Sequence, residues 1–128
     1  MKLLLDTHAF LWWIADDPSL STRARRAIAG AANEVYLSAA SAHEMAIKAG
    51  LGRLRLREPL EELVPREVAA CGFRVLPVQL SHALGVSSLP PIHRDPFDRL
   101  LVAQARIEDL ALVTIDKALG RYGVKIVW

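Results

Sequence analysis

At 128 residues, with 52% apolar and 23% charged side chains, the chain has a globular composition and the length of a single domain, residues 1–128, able to build a real core. A net charge of only +2 excludes a global basic field that would demand a nucleic-acid partner. No apolar run is long enough to span a bilayer, Met1 to Asp6 reaches an acid too early for a secretory leader, and the lone Cys71 cannot form an internal disulfide. A reducing, cytoplasmic setting without a membrane partner is expected. Twelve of the sixteen basic residues are Arg, a bias that genomic base composition explains more readily than phosphate binding.

Lys2 to Leu5 reads as a short buried strand of a parallel sheet, ending at Asp6. Thr7 to Ala15 is apolar nearly all round, which predicts a helix covered on more than one side. Pro18 closes it, and Ser21 caps a second helix running to about Ala32. Val35 to Leu37 is a second strand, stopped by Ser38. Ser41 to Ala49 is helical in pattern up to Gly50, with Glu44 and Lys48 four apart on one face. Gly52 to Arg57 alternates Arg with Leu, as a short strand or an extended basic loop. Pro59 opens a helix that Pro65 interrupts and Gly72 ends, and Phe73 to Val78 is a third strand weakened by Pro77. Ser81 to Val86 is a short helix. After the stretch from Leu89 to Ala105, Ala111 to Ile115 forms the clearest strand, ending at Asp116, and Val124 to Trp128 forms the last. Strands alternating with helices predict an α/β fold with a parallel sheet and helices on both faces.

The stretch LPPIHRDPFDRLLVAQA organises the rest. Asp95 is a favoured N-cap, Pro96 suits the first helical position, and Asp98 falls third, so both acids meet the positive end of a helix running to about Glu108. Phe97, Leu100, Leu101 and Ala105 give that helix an apolar stripe. Capping alone accounts for both acids, just as Asp6 and Asp116 can be turn formers and Glu44 a capping-box acid three residues after Ser41. Their placement adds something. Asp6 and Asp116 end strands at the edge where ligands of open α/β sheets bind, and Glu44 and Asp98 sit near the starts of helices at that edge. Four carboxylates on four elements are therefore expected to face one spot. Such acids repel, and a hard divalent cation, Mg²⁺ or Mn²⁺, resolves the repulsion. His8, His43, His82 and His93 have no zinc-ligand spacing with Cys71. The chemistry served by such a site is phosphoryl transfer with an activated water.

Taken together and in order, LLLDTHAFLWW, LSAASAHEMAIKAGLGRL, LPPIHRDPFDRLLVAQA, LVTIDKAL and YGVKIVW resemble the PIN-domain ribonucleases, and within them the VapC toxins of type II toxin–antitoxin (VapBC) systems. The resemblance implies a PIN-like three-layer fold and a metal-dependent endoribonuclease, with Asp6, Glu44 and Asp98 as the core metal-site acids and Asp116 as a more variable fourth. It implies that Thr7 and Thr114 orient carboxylates or waters, with Asp95 a cap standing beside them. It implies a VapB-type antitoxin as partner, RNA as substrate, and a toxin homodimer. His43 stands where the family usually has a large apolar residue, and is a candidate for substrate contact. The Leu11-Trp12-Trp13-Ile14 cluster is core or antitoxin surface. Lys48, Arg53, Arg55, Arg57, Arg94 and Arg99 are the candidates for gripping RNA, about half of them expected in surface ion pairs, such as Lys48 with Glu44. A phosphoacceptor receiver domain fits poorly, because Asp6 is followed by Thr7 and His8 and the third strand ends without an acid. A non-catalytic PIN-fold protein that binds RNA or a partner stays open as the alternative.

Overall fold

Leu3, Leu4 and Leu5 are fully buried, which three consecutive strand residues achieve only when both faces of the sheet are covered. In the computed structural model, which describes residues 1–128, they form the central strand β1 (Lys2–Leu5) of a five-stranded sheet. β1 pairs with β2 (Glu34–Ser38) on one side and β4 (Ala111–Val113) on the other. β3 (Arg74–Leu76) and β5 (Ile126–Val127) form the edges, giving the order β3-β2-β1-β4-β5 with every pair parallel.

Alternation along the strands builds two cores. Leu3, Leu5, Val35, Leu37, Ala111 and Val113 point to one face, against α1 (Thr7–Ile14), α2 (Thr22–Ala29), α3 (Ala39–Gly50) and α4 (Leu60–Cys71). Leu4 and Leu112 point to the other, against Leu101, Val102 and Ala105 of α6 (Pro96–Glu108), beside which lies the short α5 (Leu80–Gly85). This is the expected parallel α/β arrangement with helices on both faces. The sheet order reverses direction between β1 and β4, and that reversal is the switch point at which ligands of such sheets bind.

Several local expectations need correction. α3 begins at Ala39, not Ser41, because Ser38, the last strand residue, is itself the cap; its hydroxyl accepts the Ala40 N–H at 3.0 Å. Ser41 is buried inside the helix, its hydroxyl without a hydrogen-bond partner. α2 stops at Ala29 rather than about Ala32, with Gly30 as its C-terminal cap. Pro65 does not interrupt α4: it and Glu61, whose carbonyl it leaves unpaired, both face solvent, where water satisfies that group. Gly72 ends the helix as expected, in the left-handed region at φ 69°. Gly52 to Arg57 is a loop, and β4 ends at Val113 because Thr114 and the exposed Ile115 run out past the sheet. β3 and β5 are likewise shorter than the apolar patterns suggest.

A buried polar chain ties the two layers together across β2. Ser38 donates its hydroxyl to Gln104 Oε1 at 2.6 Å, and Gln104 Nε2 lies 3.3 Å from both the Pro77 carbonyl and His82 Nδ1. His82 Nδ1 also accepts the Gln79 N–H at 3.0 Å, so the ring proton sits on Nε2, 2.9 Å from Glu108 Oε1. Gln104 and His82 have no solvent exposure, so losing Gln104 leaves the buried Ser38 hydroxyl proton without its acceptor and opens a void. Gln104→Ala is expected to lower stability by about 3 kcal/mol, read as a reduced urea midpoint at unchanged slope.

Candidate active site

Leu5 lies opposite Leu37 on β2 and Val113 on β4, so the next residues, Asp6, Ser38 and Thr114, come level at the carboxyl rim. The Asp6 N–H continues the ladder, donating to the Val113 carbonyl at 3.1 Å. The Asp6 carboxylate caps α1, accepting the Ala9 N–H at 2.7 Å. The Thr114 hydroxyl beside it lowers the cost of its charge, and the hydroxyl oxygen takes the Asp116 N–H at 3.0 Å. Burial still holds the Asp6 carboxyl above the usual carboxylate range.

Glu44 is buried within α3. Its Oε1 accepts the Thr7 hydroxyl at 2.6 Å and its Oε2 pairs with the Lys48 ammonium at 2.5 Å, one helical turn on. Both oxygens are therefore engaged away from the helix start, which removes the capping-box account of this residue. Asp95 does act as a cap, accepting the N–H groups of Phe97 and Asp98 at 2.8 and 3.0 Å. Asp98 is thus free to turn into the rim. Its carboxyl is pushed up to about 6, first by burial, then by the charges of Asp95, Asp6 and Glu44, with His93 opposing.

Asp116 caps the 3₁₀ turn Lys117–Tyr122 through Oδ1, which accepts the Ala118 N–H at 3.1 Å. Its Oδ2 lies 3.0 Å from His93 Nε2. The Tyr122 hydroxyl accepts the His93 backbone N–H at 2.7 Å and lies 3.3 Å from His93 Nδ1.

Asp6, Glu44, Asp98 and Asp116 line one cavity of about 200 Å³, together with Thr7, Thr114, Asp95, His8 and Lys48. Its walls offer mainly carboxylate and hydroxyl oxygens, the donor set that hard cations such as Mg²⁺ and Mn²⁺ prefer, and raised carboxyl groups are those that a nearby cation relieves. The acids do not form a finished ligand cage; Glu44 is paired with Lys48, and Asp116 carries His93 on one of its oxygens. Thr7, His8 and Lys48 also border a larger groove of about 930 Å³, lined by Trp12 and by Arg53, Arg55, Arg57 and Arg66.

All four sequence-predicted acids, with Thr7, Thr114 and Asp95, thus come together at the switch point. Lys48 bridges cavity and groove while paired to Glu44, and Arg94 is exposed on the loop before α6. Arg99 departs from expectation. Its guanidinium turns inward onto the carbonyls of Pro90 at 2.9 Å, Val86 and Leu89 at 3.3 Å, and His93 at 3.4 Å, so it secures the loop instead of presenting itself to RNA. His43 packs edge-on against Phe97, ring centroids 6.0 Å apart, where α3 meets α6. The adjacent tryptophans diverge. Trp13 packs against Phe73, its indole N–H meeting Cys71 Sγ at 3.4 Å, whereas Trp12 packs against Trp128 and His8 beside the groove. His93 and Tyr122 are the contributors that sequence reasoning missed; only the place of His93 within the organising stretch hinted at it.

The PIN domain family profile matches residues 3–125. Ribonuclease VapC22 of Mycobacterium tuberculosis is 35% identical over 118 residues, covering 91% of this chain and 88% of that protein. The solved structure of VapBC2 from Rickettsia felis, bound to a DNA fragment from their promoter, aligns with a TM-score of 0.73 at 15% identity over 98% of this chain and 97% of that one. A toxin–antitoxin complex from Klebsiella pneumoniae aligns with a TM-score of 0.64 at 16% identity, over 98% and 96%. At these identities the two structures share the fold.

A carboxyl whose folded pKa lies above its unfolded value binds more protons folded than unfolded between the two, so stability falls as pH rises through that window. For Asp98 the window runs from 3.8 to about 6. In chelator, Asp98→Asn is therefore expected to melt a few degrees above the parent at pH 7, by about 1 kcal/mol once solvent screening of this half-buried group is allowed for. The gap should close towards pH 4, as thermal melts of both proteins across pH would show.

Proposed function

The chain belongs to the PIN-domain family, on its VapC ribonuclease branch, and on that premise we propose that it is a metal-dependent endoribonuclease toxin held in check by a cognate VapB-type antitoxin. The observation that carries this reading is the convergence of Asp6, Glu44, Asp98 and Asp116, from four separate elements, on one small cavity. These four would hold Mg²⁺ or Mn²⁺. Such a cation supplies Lewis acidity that makes water nucleophilic near neutral pH and offsets charge growing on the phosphodiester.

The chain's own residues do the rest. Thr7 fixes the rotamer of Glu44 by donating to its Oε1, and the Ala9 N–H fixes that of Asp6 beside Thr114. Asp95 holds the first turn of α6, and with it Asp98, at the rim. Arg53, Arg55 and Arg57 with Lys48 line the route into the acids and supply the positive charge that RNA phosphates need next to an acidic centre. Trp12, beside that groove, offers a face on which an unstacked base can rest.

The antitoxin's place is the same groove. An occupant there covers Thr7, His8 and Lys48, which the groove shares with the acidic cavity, and so blocks substrate entry. The apolar wall of Leu11, Trp12, Ile14 and Leu63 suits a helix, and the arginines suit acidic residues beside it. We further propose a homodimer formed through α5 and the end of α6, where Leu80, Leu84 and Ile107 are exposed. No helix is long and apolar enough to cross a membrane.

The test is RNA cleavage by the purified, antitoxin-free protein with Mn²⁺, with Mg²⁺ and with chelator, alongside Asp98→Asn. Metal-dependent cutting, absent in chelator and reduced at least about a hundredfold by the substitution, is the expected result. Cutting that persists in chelator, or survives Asp98→Asn in a folded protein, would overturn the reading. If neither protein cuts a broad RNA pool or binds Mn²⁺, the chain is a non-catalytic member that binds a partner or RNA.

A further inference from the structure

Asp116 is constrained far less by packing than Glu44 or Asp6. Its side chain is 41% exposed, against 9% for Glu44, and it stands at the start of a 3₁₀ turn rather than on a sheet or long helix. What fixes it is a chain of hydrogen bonds that comes from elsewhere in the fold. We propose that His93 is a positioning residue that aims the Asp116 carboxylate into the acidic cavity, with Tyr122 setting the tautomer in which it does so. The inference rests on the proposed function in taking Asp116 to be a metal-site acid.

The hydrogen count gives the direction of each bond. The Tyr122 hydroxyl oxygen, nearly buried, is already the acceptor of the His93 backbone N–H at 2.7 Å. Its single proton is free to go to His93 Nδ1, 3.3 Å away. A neutral imidazole whose Nδ1 accepts carries its proton on Nε2, and Nε2 faces Asp116 Oδ2 at 3.0 Å. Asp116 Oδ1 is meanwhile held by the Ala118 N–H. The carboxylate thus receives one donor on each oxygen, which fixes its plane and leaves a lone pair of each for the cavity.

His93 is itself held at four points. Its N–H and Nδ1 go to Tyr122, its Nε2 to Asp116, and its carbonyl to Arg99, whose guanidinium also holds Val86, Leu89 and Pro90. This explains why a loop without helix or strand, Leu89 to Asp95, can carry a residue whose ring must be placed to within tenths of an ångström. It also gives the inward turn of Arg99 a purpose. Outer hydrogen bonds of this kind orient ligating carboxylates and change metal affinity by about 10–100-fold when removed.

The test uses His93→Ala, His93→Gln, Tyr122→Phe and Asp116→Ala, with the double variant of His93 and Asp116. Mn²⁺ affinity is read from the free-ion paramagnetic resonance signal, RNA cleavage gives kcat and KM, and ¹⁵N resonances report the His93 tautomer in the metal-free protein. His93→Ala should weaken Mn²⁺ binding about tenfold and lower kcat with KM for RNA unchanged. His93→Gln, which keeps a donor near the Nε2 position, should regain most of that loss, and His93→Ala should add nothing once Asp116 is Ala. The ring should be Nε2-protonated in the parent and a mixture of tautomers in Tyr122→Phe. A ring protonated on Nδ1, no rescue by Gln, or losses that multiply fully in the double variant would overturn the proposal. Parent protein that binds no Mn²⁺ and cuts no RNA sinks the functional reading instead. In that case a His93 Nε2 chemical shift that does not move in Asp116→Ala overturns the pairing as well.

Discussion

Three leucines sealed on both faces of a central parallel strand set the terms for everything at the rim. Because β1 is the middle strand and stands at the reversal of strand order, its exit is where a side chain can reach both halves of the sheet, and Asp6 occupies it. The register then allows little choice. Thr114 must arrive level with Asp6 from β4, and Ser38 from β2, where it both starts α3 and grips Gln104 of α6. The helices bearing Glu44 and Asp98 are thereby locked to the same edge. The apolar core does not merely stabilise the acidic site; it dictates how far apart its members stand.

Against that frame works the electrostatic cost of the site itself. Asp6 and Asp98 are both held above their ordinary range, chiefly by burial, with neighbouring carboxylates adding to it. The fold offsets this with local donors in place of a basic surround. Thr7 and Lys48 serve Glu44, Thr114 serves Asp6, and His93 serves Asp116. Three of the acids thus have donors of their own and Asp98 has none, an arrangement that favours whatever brings concentrated positive charge into the middle.

The sequence was most legible where one residue does one local job. Asp95 followed by Pro96 marked the start of α6, Gly72 the end of α4, and each strand's run of apolar residues marked its place in a buried sheet. Four acids at the ends of such elements were enough to foresee their meeting. Boundaries failed where one residue does two jobs: Ser38 is both strand end and helix cap, so the helix starts earlier than Ser41 suggested. Pro65 misled because a break in the hydrogen-bond ladder is harmless on a wet face. The partners of Arg99 and His93 could not be read. Nothing in linear spacing tells whether an arginine's partners are phosphates in solution or carbonyls of its own preceding loop, and no local rule links His93 to an aspartate and a tyrosine more than a full strand and helix away.

The order of the strands also bears on how the chain acquires its active form during synthesis. β1 leaves the ribosome first yet lies in the middle of the sheet, and its partner β4 is among the last elements made. A nascent chain that has formed β1, β2 and β3 already holds Asp6 and Glu44, but neither Asp98 nor Asp116, and one face of its sheet lacks the cover of α6. The four acids can assemble only when the C-terminal third has emerged, since domains consolidate as their long-range contacts become available. The topology therefore delays the hazard: a growing chain is tethered to its own message for most of its synthesis before it owns a complete acidic centre.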